Sequence, residues 1–463
     1  TGRFPLSRLE EYYESMFSDC MDTVLALGAY NEAVAEEAEK ESNSNSGETQ
    51  DQSGEQGSSG SQESEQQDAS EDGEKVPMPG KLVYRGIDVE ELINGFVSEG
   101  RFGFEETAYL LLFGALPTRA QLTAFEGLLS AHRALPPMFT EDMILKAPSR
   151  NIMNQLARSV LALYSYDESA DDTSLENVLR QSIGLIARFP LIAANAFAAK
   201  RHYFDGKSLI LHNPEPELSV AENILRMIRP DKAYTPEESH LLDLMLILHA
   251  EHSSNNSTFV CRAMSSSGTD TYSAIAGAVG SLKGPLHGGA NLAVMKMFDH
   301  LKENIRHWDK VTEIDQYLNK MLRKEAYDHT GLIYGIGHAV YTISDPRALL
   351  LKEMARDLAK EKEREEEYAF LELLEERAIE NFMNFKGTKV NKRVCANVDF
   401  YSGFVYDMIG LPQEVFTPLF AMSRITGWTA HRIEELNFDS KRIIRPAYKN
   451  VAAERKFVPL KQR

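Results

Sequence analysis

The run SLENVLRQSIGLIARFPLIAANAFAAK at 174–200 decides the fold class. Its apolar residues recur at three- and four-residue spacing, which is the pattern of an amphipathic α-helix. The same spacing recurs in EETAYLLLFGALP, SRNIMNQLARSVLALYSY and ESHLLDLMLILHAEH. The sequence therefore predicts a mostly α-helical protein.

Local signals predict where these helices begin and end. Ser219, followed three residues later by Glu222, forms the pattern of a capping box. Strand signals are weak, and KLVYRGIDV at 81–89 is the best candidate. The charged segment 347–383 predicts a long solvated helical stretch. Helix breaks are predicted at Pro117, Pro136, Pro137, Pro190, Pro214 and Pro230.

Length and composition limit the possible classes of protein. A chain of 463 residues suggests two folding units, or one large unit with a subdomain. Much of the net charge of −19 lies in a polar, low-complexity segment at 36–76, which we expect to be disordered. The remainder is only mildly acidic, which gives a nucleic-acid partner no electrostatic support.

The three cysteines lie far apart and fit a reducing compartment. No apolar run approaches ~20 residues, so we predict a cytoplasmic protein without a membrane partner.

The string HAEH at 249–252 contains two histidines three residues apart, which we expect on one helix face. Such a pair could bind a metal ion in a hydrolase, or could be a hydrogen-bonded pair in a polar pocket. We favour the second interpretation because no third ligand follows at metal-binding spacing.

Two further histidines stand among glycines, His287 in GPLHGGAN and His338 in GIGHAV. Glycine lets backbone and ligand approach closely, although either histidine alone would be typical of a turn. An amphipathic run follows His287 at once, and we expect the positive end of that helix to keep the imidazole neutral.

Acidic and basic residues also occupy unusual positions. Asp399 stands in apolar company, so it is either a helix cap or a base with a raised pKa. Arg347 follows a predicted helix start at Pro346, where an anion is favoured. Arg424 lies on an otherwise apolar helix and needs a carboxylate or phosphate partner. Arginines with a histidine suit a small dicarboxylate, and two imidazoles with one carboxylate suit proton removal next to a carbonyl.

Seven strings together carry a family resemblance: YRGIDVEEL, HAEHSSNNSTF, GPLHGGAN, GIGHAVYTISDPRA, NVDFYSG, FAMSRITGWTAH and IIRP. In this order, from Lys81 to the C-terminus, they resemble citrate synthases of the Si type. The resemblance implies the mostly α citrate synthase fold, with the active site in the cleft between a large and a small helical domain, and an obligate homodimer. The expected division is an N-terminal helical segment (1–35), the acidic insertion (36–76), a large domain (77–289 and 411–463) and a small domain (290–410).

The resemblance also implies roles for individual residues. The catalytic residues would be His287, His338 and Asp399. Oxaloacetate would bind His252, Arg347, Arg424 and Arg445, the last reaching across from the other subunit, and Phe420 would line the acetyl site. Thr342 stands where the family carries a basic residue for coenzyme A phosphate. Other cations are therefore expected to bind the phosphates, namely Lys386, Lys389, Lys392 and Arg393.

The implied activity is that of an acyltransferase that converts the acyl group into an alkyl group on transfer. It would condense acetyl-CoA with oxaloacetate and hydrolyse citryl-CoA to citrate and CoA, the entry step of the tricarboxylic acid cycle. Acetyl-CoA would be a co-substrate, with no metal and no permanently bound cofactor. The alternatives are a 2-methylcitrate synthase that uses propionyl-CoA, a metal-dependent hydrolase built on His249 and His252, and a non-catalytic helical scaffold.

Overall fold

A computed structural model describes residues 78–338, 340–387, 393–439, 442–447, 449, 457 and 459–462. The predicted N-terminal helical segment (1–35) and the acidic insertion (36–76) lie outside the described residues. Within the described residues the chain is mostly α-helical, as predicted. The helices are α1 (Val89–Glu99), α2 (Phe104–Phe113), α3 (Arg119–His132), α4 (Ile152–Leu163), α5 (Leu175–Asp205), α6 (Val220–Ile228), α7 (Pro236–His249), α8 (Asn256–Ser265), α9 (Thr271–Leu282), α10 (Ala290–Asn304), α11 (Val311–Leu322), α12 (Pro346–Glu361), α13 (Glu365–Lys386), α14 (Asp399–Met408) and α15 (Phe416–Asn437).

The predicted strand at 81–89 is a short antiparallel hairpin. Strand β1 (Val83–Tyr84) pairs with β2 (Ile87–Asp88). The hairpin is tied to the end of α7, because the buried Tyr84 hydroxyl donates to the carbonyl of Ile247 at 2.9 Å and lies 3.1 Å from that of Glu251. This contact fixes the chain on which the two histidines of HAEH lie.

Local capping chemistry is confirmed at α6. The Ser219 hydroxyl accepts the backbone N–H of Glu222 at 3.2 Å, and the Glu222 carboxylate accepts that of Ser219 at 2.8 Å. This reciprocal pair satisfies two N–H groups that a helix start otherwise leaves without a partner.

The predicted break at Pro190 is wrong, because α5 continues through it for 31 residues. An interior proline removes one helical hydrogen bond. Here α5 is buried among α3, α4, α6 and α15, so tertiary packing outweighs that loss. Helix α5 is long and apolar enough to cross a membrane, but 89% of its most apolar window is buried within the protein.

The charged stretch 347–383 forms two helices, α12 and α13, rather than one. The chain turns between them, where Glu363 takes a positive φ of 56°. Helices α10 to α14 pack chiefly on one another, with α12 against α14, α11 against α13 and α10 against α14. These helices fall in the range predicted for the small domain, whose boundaries stay a prediction.

Helix α15 is the central element of the remaining structure. It is buried over most of its length and packs on α2, α5, α7, α8 and α9. Because α15 is buried over most of its length, the side chains of Arg424 and Phe420 both lie inside the protein.

Candidate active site

The segment that carries His338 is paired with the chain just before Asp399. Ile336 and Ala396 form an antiparallel β-bridge. One residue on, the side-chain amide of Asn397 donates to a backbone carbonyl of the His338 segment at 3.0 Å and accepts the N–H of Asp399 at 3.0 Å. Two residues that are far apart in sequence are thereby brought to one place.

A glycine is required in this pairing at position 335. Gly335 has a φ of +81°, and a Cβ there would lie 2.8 Å from the ring of Phe400 and 2.9 Å from Val294. A side chain would therefore push the His338 segment away from α14.

The backbone around His338 selects its tautomer. Its Nδ1 accepts the backbone N–H groups of Val340 at 3.0 Å and Tyr341 at 3.1 Å. An Nδ1 that accepts carries no proton, so the proton of the neutral ring lies on Nε2. The ring stacks on Tyr341 with centroids 4.6 Å apart, and the ring of His252 lies 5.0 Å away.

The turn that carries His287 is held from two sides. The N–H of Gly288 donates to the carbonyl of Leu282 at 3.0 Å, and Thr417 on α15 donates to the Gly288 carbonyl at 2.8 Å. A Cβ at position 288 would lie 2.2 Å from the Leu282 oxygen, so only glycine fits. The glycines of this string therefore set the position of the imidazole.

The His287 ring is neutral and its proton is on Nδ1. Its Nε2 accepts the backbone N–H of Ser257 at 3.3 Å and lies 2.9 Å from the Ser257 hydroxyl, to which Trp428 donates at 3.1 Å. Burial and the charge of Arg424 lower the pKa of His287 to about 4. This lowered pKa agrees with the predicted neutral imidazole, and its causes are burial and Arg424. The contribution expected from the following helix stays a prediction.

Asp399 is the first residue of α14, and its side chain does not cap the helix, whose N-cap is Val398. Asp399 is half-buried, and burial raises the pKa of its carboxyl to about 6 although Arg347 opposes the change. Of the two sequence interpretations, cap or base with a raised pKa, the structure favours the base.

Arg347 is clamped by Asp345, two residues earlier. Its Nε and Nη2 donate to the two carboxylate oxygens at 3.0 and 2.7 Å, and both side chains are buried. Burial acts against the charge of Asp345, but Arg347 outweighs it and holds the pKa of this carboxyl below its usual range. Asp345 also accepts the backbone N–H of Arg347, so it occupies the anion position that we predicted at this helix start.

Arg424 is buried, and its guanidinium is only partly hydrogen-bonded. Its Nε donates to the carbonyl of His249 at 2.6 Å, and its guanidinium lies over the Phe420 ring at 4.7 Å. Its Nη2 has no hydrogen-bond partner among the described residues. Burial lowers the pKa of Arg424 to about 10, although the Glu251 carboxylate counteracts this effect.

The expectation that His249 and His252 share a helix face is wrong, because α7 ends at His249 and the chain turns away. His249 is bonded through Nδ1 to the Met245 carbonyl at 2.8 Å. Burial lowers the pKa of both rings, to about 3 for His249. In the part of the chain that the structure describes, no group of three or more His, Cys, Asp or Glu side chains could hold a metal ion.

Phe420 joins several of these groups. Its ring centroid lies 4.9 Å from that of His249 and 6.2 Å from that of His287. It also supports Arg424. Ring contacts, hydrogen bonds and electrostatic interactions thus connect seven predicted site residues: His252, His287, His338, Arg347, Asp399, Phe420 and Arg424.

The other predicted residues are placed differently. Arg445 is exposed in this single chain, next to Ile444, whose N–H donates to Ser266 at 3.0 Å. Lys386 is exposed at the end of α13, and Arg393 is also exposed. Lys389 and Lys392 lie outside the described residues. Thr342 is half-buried.

Sequence reasoning assigned no role to Ser257, Trp428, Asp345 or Glu251. The one available signal was for Asp345, since an aspartate before Pro-Arg predicts a helix cap. Ser257 and Trp428 reach His287 only through tertiary contacts, so no local pattern could have identified them.

The arrangement suits an anionic ligand that carries carbonyl groups. Each buried polar atom without a partner costs roughly 1–3 kcal/mol, so a cluster of them indicates a binding site. Within the described residues, Arg424 Nη2 and the Nε2 atoms of His249 and His252 form such a cluster. Beside them lie neutral imidazoles that can donate and a carboxyl group that can accept a proton.

Comparisons with known proteins identify the family of this chain. The family described as "Citrate synthase, C-terminal domain" matches residues 61–447. Citrate synthase of Synechocystis sp. is 35% identical over 79% of this chain and 84% of its own length. The 2-methylcitrate synthase of Shewanella oneidensis is 33% identical over 82% of this chain and 92% of its own length.

A solved structure of citrate synthase from the archaeon Thermoplasma acidophilum, a ternary complex with carboxymethyl coenzyme A and oxaloacetate, matches with a TM-score of 0.69. It is 28% identical, and the match covers 83% of this chain and 93% of that chain. The fold is therefore the citrate synthase fold. This chain belongs to the citrate synthase family of acyltransferases.

Proposed function

We propose that this chain condenses acetyl-CoA with oxaloacetate and hydrolyses the resulting citryl-CoA to citrate and CoA. The observation that carries the proposal is a pair of imidazoles with opposite tautomers, His287 and His338, in the same site as Asp399 with its pKa of about 6. Condensation requires a base for the carbon acid and a hydrogen-bond donor for each of two carbonyl oxygens. The site offers all three groups.

In the first step the Asp399 carboxylate removes a methyl proton from acetyl-CoA. The electrons of that C–H bond form a C=C bond, and the thioester oxygen takes up the charge. The Nδ1–H of His287 donates to this oxygen. A neutral donor suits an enol or enolate, because it stabilises developing charge without losing a charge of its own. The pKa of about 4 keeps His287 neutral at physiological pH.

In the second step the enol carbon attacks the ketone carbon of oxaloacetate. The ketone π electrons move to its oxygen, and the Nε2–H of His338 stabilises the resulting charge by donating a hydrogen bond. This oxygen takes up the proton that is released when the thioester is hydrolysed to a carboxylate and a thiol. Water then attacks the thioester carbonyl, and citrate and the CoA thiol are released. Acetyl-CoA is a co-substrate in this scheme, and no metal or permanently bound cofactor has a role.

The oxaloacetate carboxylates would be held by Arg347, Arg424 and His252, with Arg445 supplied by the other subunit of a homodimer. Two large apolar side chains stay exposed in the single chain, Leu161 (49%) on α4 and Phe259 (44%) on α8.

Complementation tests the shared site. An Arg445→Ala chain and an Asp399→Ala chain should each be inactive as homodimers, and mixing them should restore part of the activity in heterodimers. A verified heterodimer that stays inactive would refute the shared site.

Closure of the proposed small domain (290–410) on the large domain would complete the site. Asp399, His338 and Arg347 belong to the small-domain range, whereas His252, His287 and Arg424 belong to the large-domain range. Closure would exclude water from the enol intermediate.

The second candidate is 2-methylcitrate synthesis from propionyl-CoA, which is favoured by the similarity to the Shewanella oneidensis enzyme. One methylene group is worth about 1–3 kcal/mol of discrimination. We expect kcat/KM, measured as thiol release with oxaloacetate, to be roughly 10- to 200-fold higher for acetyl-CoA than for propionyl-CoA. A preference for propionyl-CoA would establish the second candidate instead.

We also propose that the enzyme acts at the entry of the tricarboxylic acid cycle and is cytoplasmic. The four cations at 386–393 would contact the phosphates of coenzyme A. Support for these contacts is that Lys386 and Arg393, at the two ends of this segment, are both exposed.

A further inference from the structure

A row of alternating charges runs along one face of α15 toward Arg424. The face carries Arg424, Gly427, His431 and Glu434, which lie three or four residues apart and therefore project on one side. Glu251, from the chain after α7, packs onto this face between Arg424 and His431.

Gly427 makes room for the Glu251 carboxylate. A Cβ at position 427 would lie 2.2 Å from the Glu251 Oε2 atom and 2.5 Å from the Ala250 carbonyl oxygen. Glu251 is thus seated against the helix backbone, and the Tyr84 hydroxyl, 3.1 Å from the Glu251 carbonyl, fixes its main chain.

The Glu251 carboxylate is held by His431 and by a hydrogen bond from the backbone of Ser253. Its Oε1 lies 2.9 Å from His431 Nε2, whereas its buried Oε2 has no hydrogen-bond partner among the described residues. The Nη2 atom of Arg424 likewise has no hydrogen-bond partner among the described residues. Of the charges around Arg424, the Glu251 carboxylate does most to raise the pKa of the guanidinium.

The row continues to the protein surface. His431 Nδ1 lies 3.6 Å from Glu434, and Glu434 forms an ion pair with Arg85 of the hairpin turn. From outside to inside the charges are Arg85 (+), Glu434 (−), His431 (+), Glu251 (−) and Arg424 (+).

The groups that face His431 favour its protonated form. Burial would lower the pKa of His431 and Arg262 on α8 acts in the same direction, but Glu251 and Glu434 outweigh both, and the pKa is raised above its ordinary value. Burial would likewise raise the pKa of Glu251, but His431 and Arg424 outweigh it and the pKa is lowered.

We propose that the ion pair between Glu251 and His431 positions Arg424 for the substrate carboxylate, and that His431 must be protonated for tight binding. A buried carboxylate needs a partner. While His431 is charged, it holds Glu251 and leaves Arg424 Nη2 for the substrate. When His431 loses its proton, the Glu251 carboxylate turns to Arg424 and competes with the substrate. The inference rests on the proposed function, since it takes oxaloacetate as the anion.

The proposal predicts a specific pH dependence. The charged form of His431 predominates below its raised pKa, so the KM for oxaloacetate should be low there and should rise as the pH passes that pKa. By linkage, bound oxaloacetate should raise the pKa of His431 further. The histidine is a positioning residue, so kcat should change much less than KM.

The test compares KM for oxaloacetate at saturating acetyl-CoA over a pH series. His431→Gln keeps a hydrogen-bond donor for Glu251 but carries no charge. We expect its KM at neutral pH to be raised roughly tenfold, with the high-pH rise of the unmodified enzyme abolished. The matched control is His307→Gln, which breaks an exposed His–Glu contact at 2.7 Å to Glu313 and should change neither parameter.

A second variant covers the case in which His431→Gln does not fold. Glu434→Gln removes one of the two carboxylates that raise the pKa of His431, so the rise in KM should move to lower pH. The inference is overturned if His431→Gln has an unchanged KM and pH profile, or if the Glu434→Gln profile coincides with that of the unmodified enzyme.

Failure of the proposed function would look different, because the unmodified enzyme would release no thiol from acetyl-CoA and oxaloacetate. Calorimetric titration of oxaloacetate into the unmodified enzyme and Glu434→Gln at two pH values then tests the pair alone. The inference is supported if the affinity of Glu434→Gln for oxaloacetate begins to fall at a lower pH than that of the unmodified enzyme. It is refuted if the two affinities depend on pH in the same way.

Discussion

Replacing Asp399 by asparagine should reduce activity by orders of magnitude and stabilise the fold at the same time. The pKa of this carboxyl is raised from an ordinary 3.8 to about 6 by burial. Since each pH unit corresponds to about 1.4 kcal/mol, keeping Asp399 ionised in the folded protein costs about 3 kcal/mol. The folded state binds its proton more tightly than the unfolded state, so this cost appears as the pH rises from about 4 to 6 and is constant above.

Asparagine removes both the cost and the base. At pH 8 we expect Asp399→Asn to unfold at a temperature a few degrees higher, and its kcat to fall roughly 10²- to 10⁴-fold. In the unmodified enzyme, kcat/KM for acetyl-CoA should fall about tenfold per pH unit below pH 6, because only the carboxylate can accept the methyl proton. Thiol release measures activity, and calorimetry measures stability.

A variant on the same helix provides the control. Asp407 on α14 is 38% exposed and pairs with Arg364 at 2.7 Å, so Asp407→Asn should retain activity. If Asp399→Asn keeps near-normal activity, Asp399 is not the base. If it is inactive but less stable at pH 8, Asp399 has a structural role and the reasoning from its pKa fails.

Three further substitutions test the supporting contacts. Ser257→Ala removes the hydroxyl beside His287 Nε2 but keeps the backbone donor, so kcat should fall about tenfold with KM for oxaloacetate unchanged. Asp345→Asn removes the charged clamp on Arg347 and should raise KM for oxaloacetate roughly 10- to 100-fold in steady-state assays. Gly288→Ala forces a Cβ to within 2.2 Å of a backbone oxygen, so activity should be lost and the melting temperature should fall; a fully active variant would contradict the fit of this turn.

Interactions between residues close in sequence allowed part of the secondary structure to be predicted. The apolar spacing of 174–200 and the Ser219–Glu222 box each depend on residues within a few positions, and both are confirmed. The break at Pro190 was wrong because local propensity could not include the packing of four helices around α5.

The candidate site shows the same division. The order of seven strings was sufficient to predict His287, His338 and Asp399 as a group, and their convergence depends on bridges such as that between Ile336 and Ala396.

The sequence by itself determined the helical class and the family, and it predicted the reacting groups, because periodicity and motif order are properties of neighbouring residues. Only the tertiary structure decided the chemical state of those groups. The tautomer of His287 depends on Ser257, thirty residues away, and the pKa of Asp399 depends on burial beneath elements from distant parts of the chain. The physical reason is that protonation and charge respond to the dielectric and the partners around an atom, which exist only once the chain has folded.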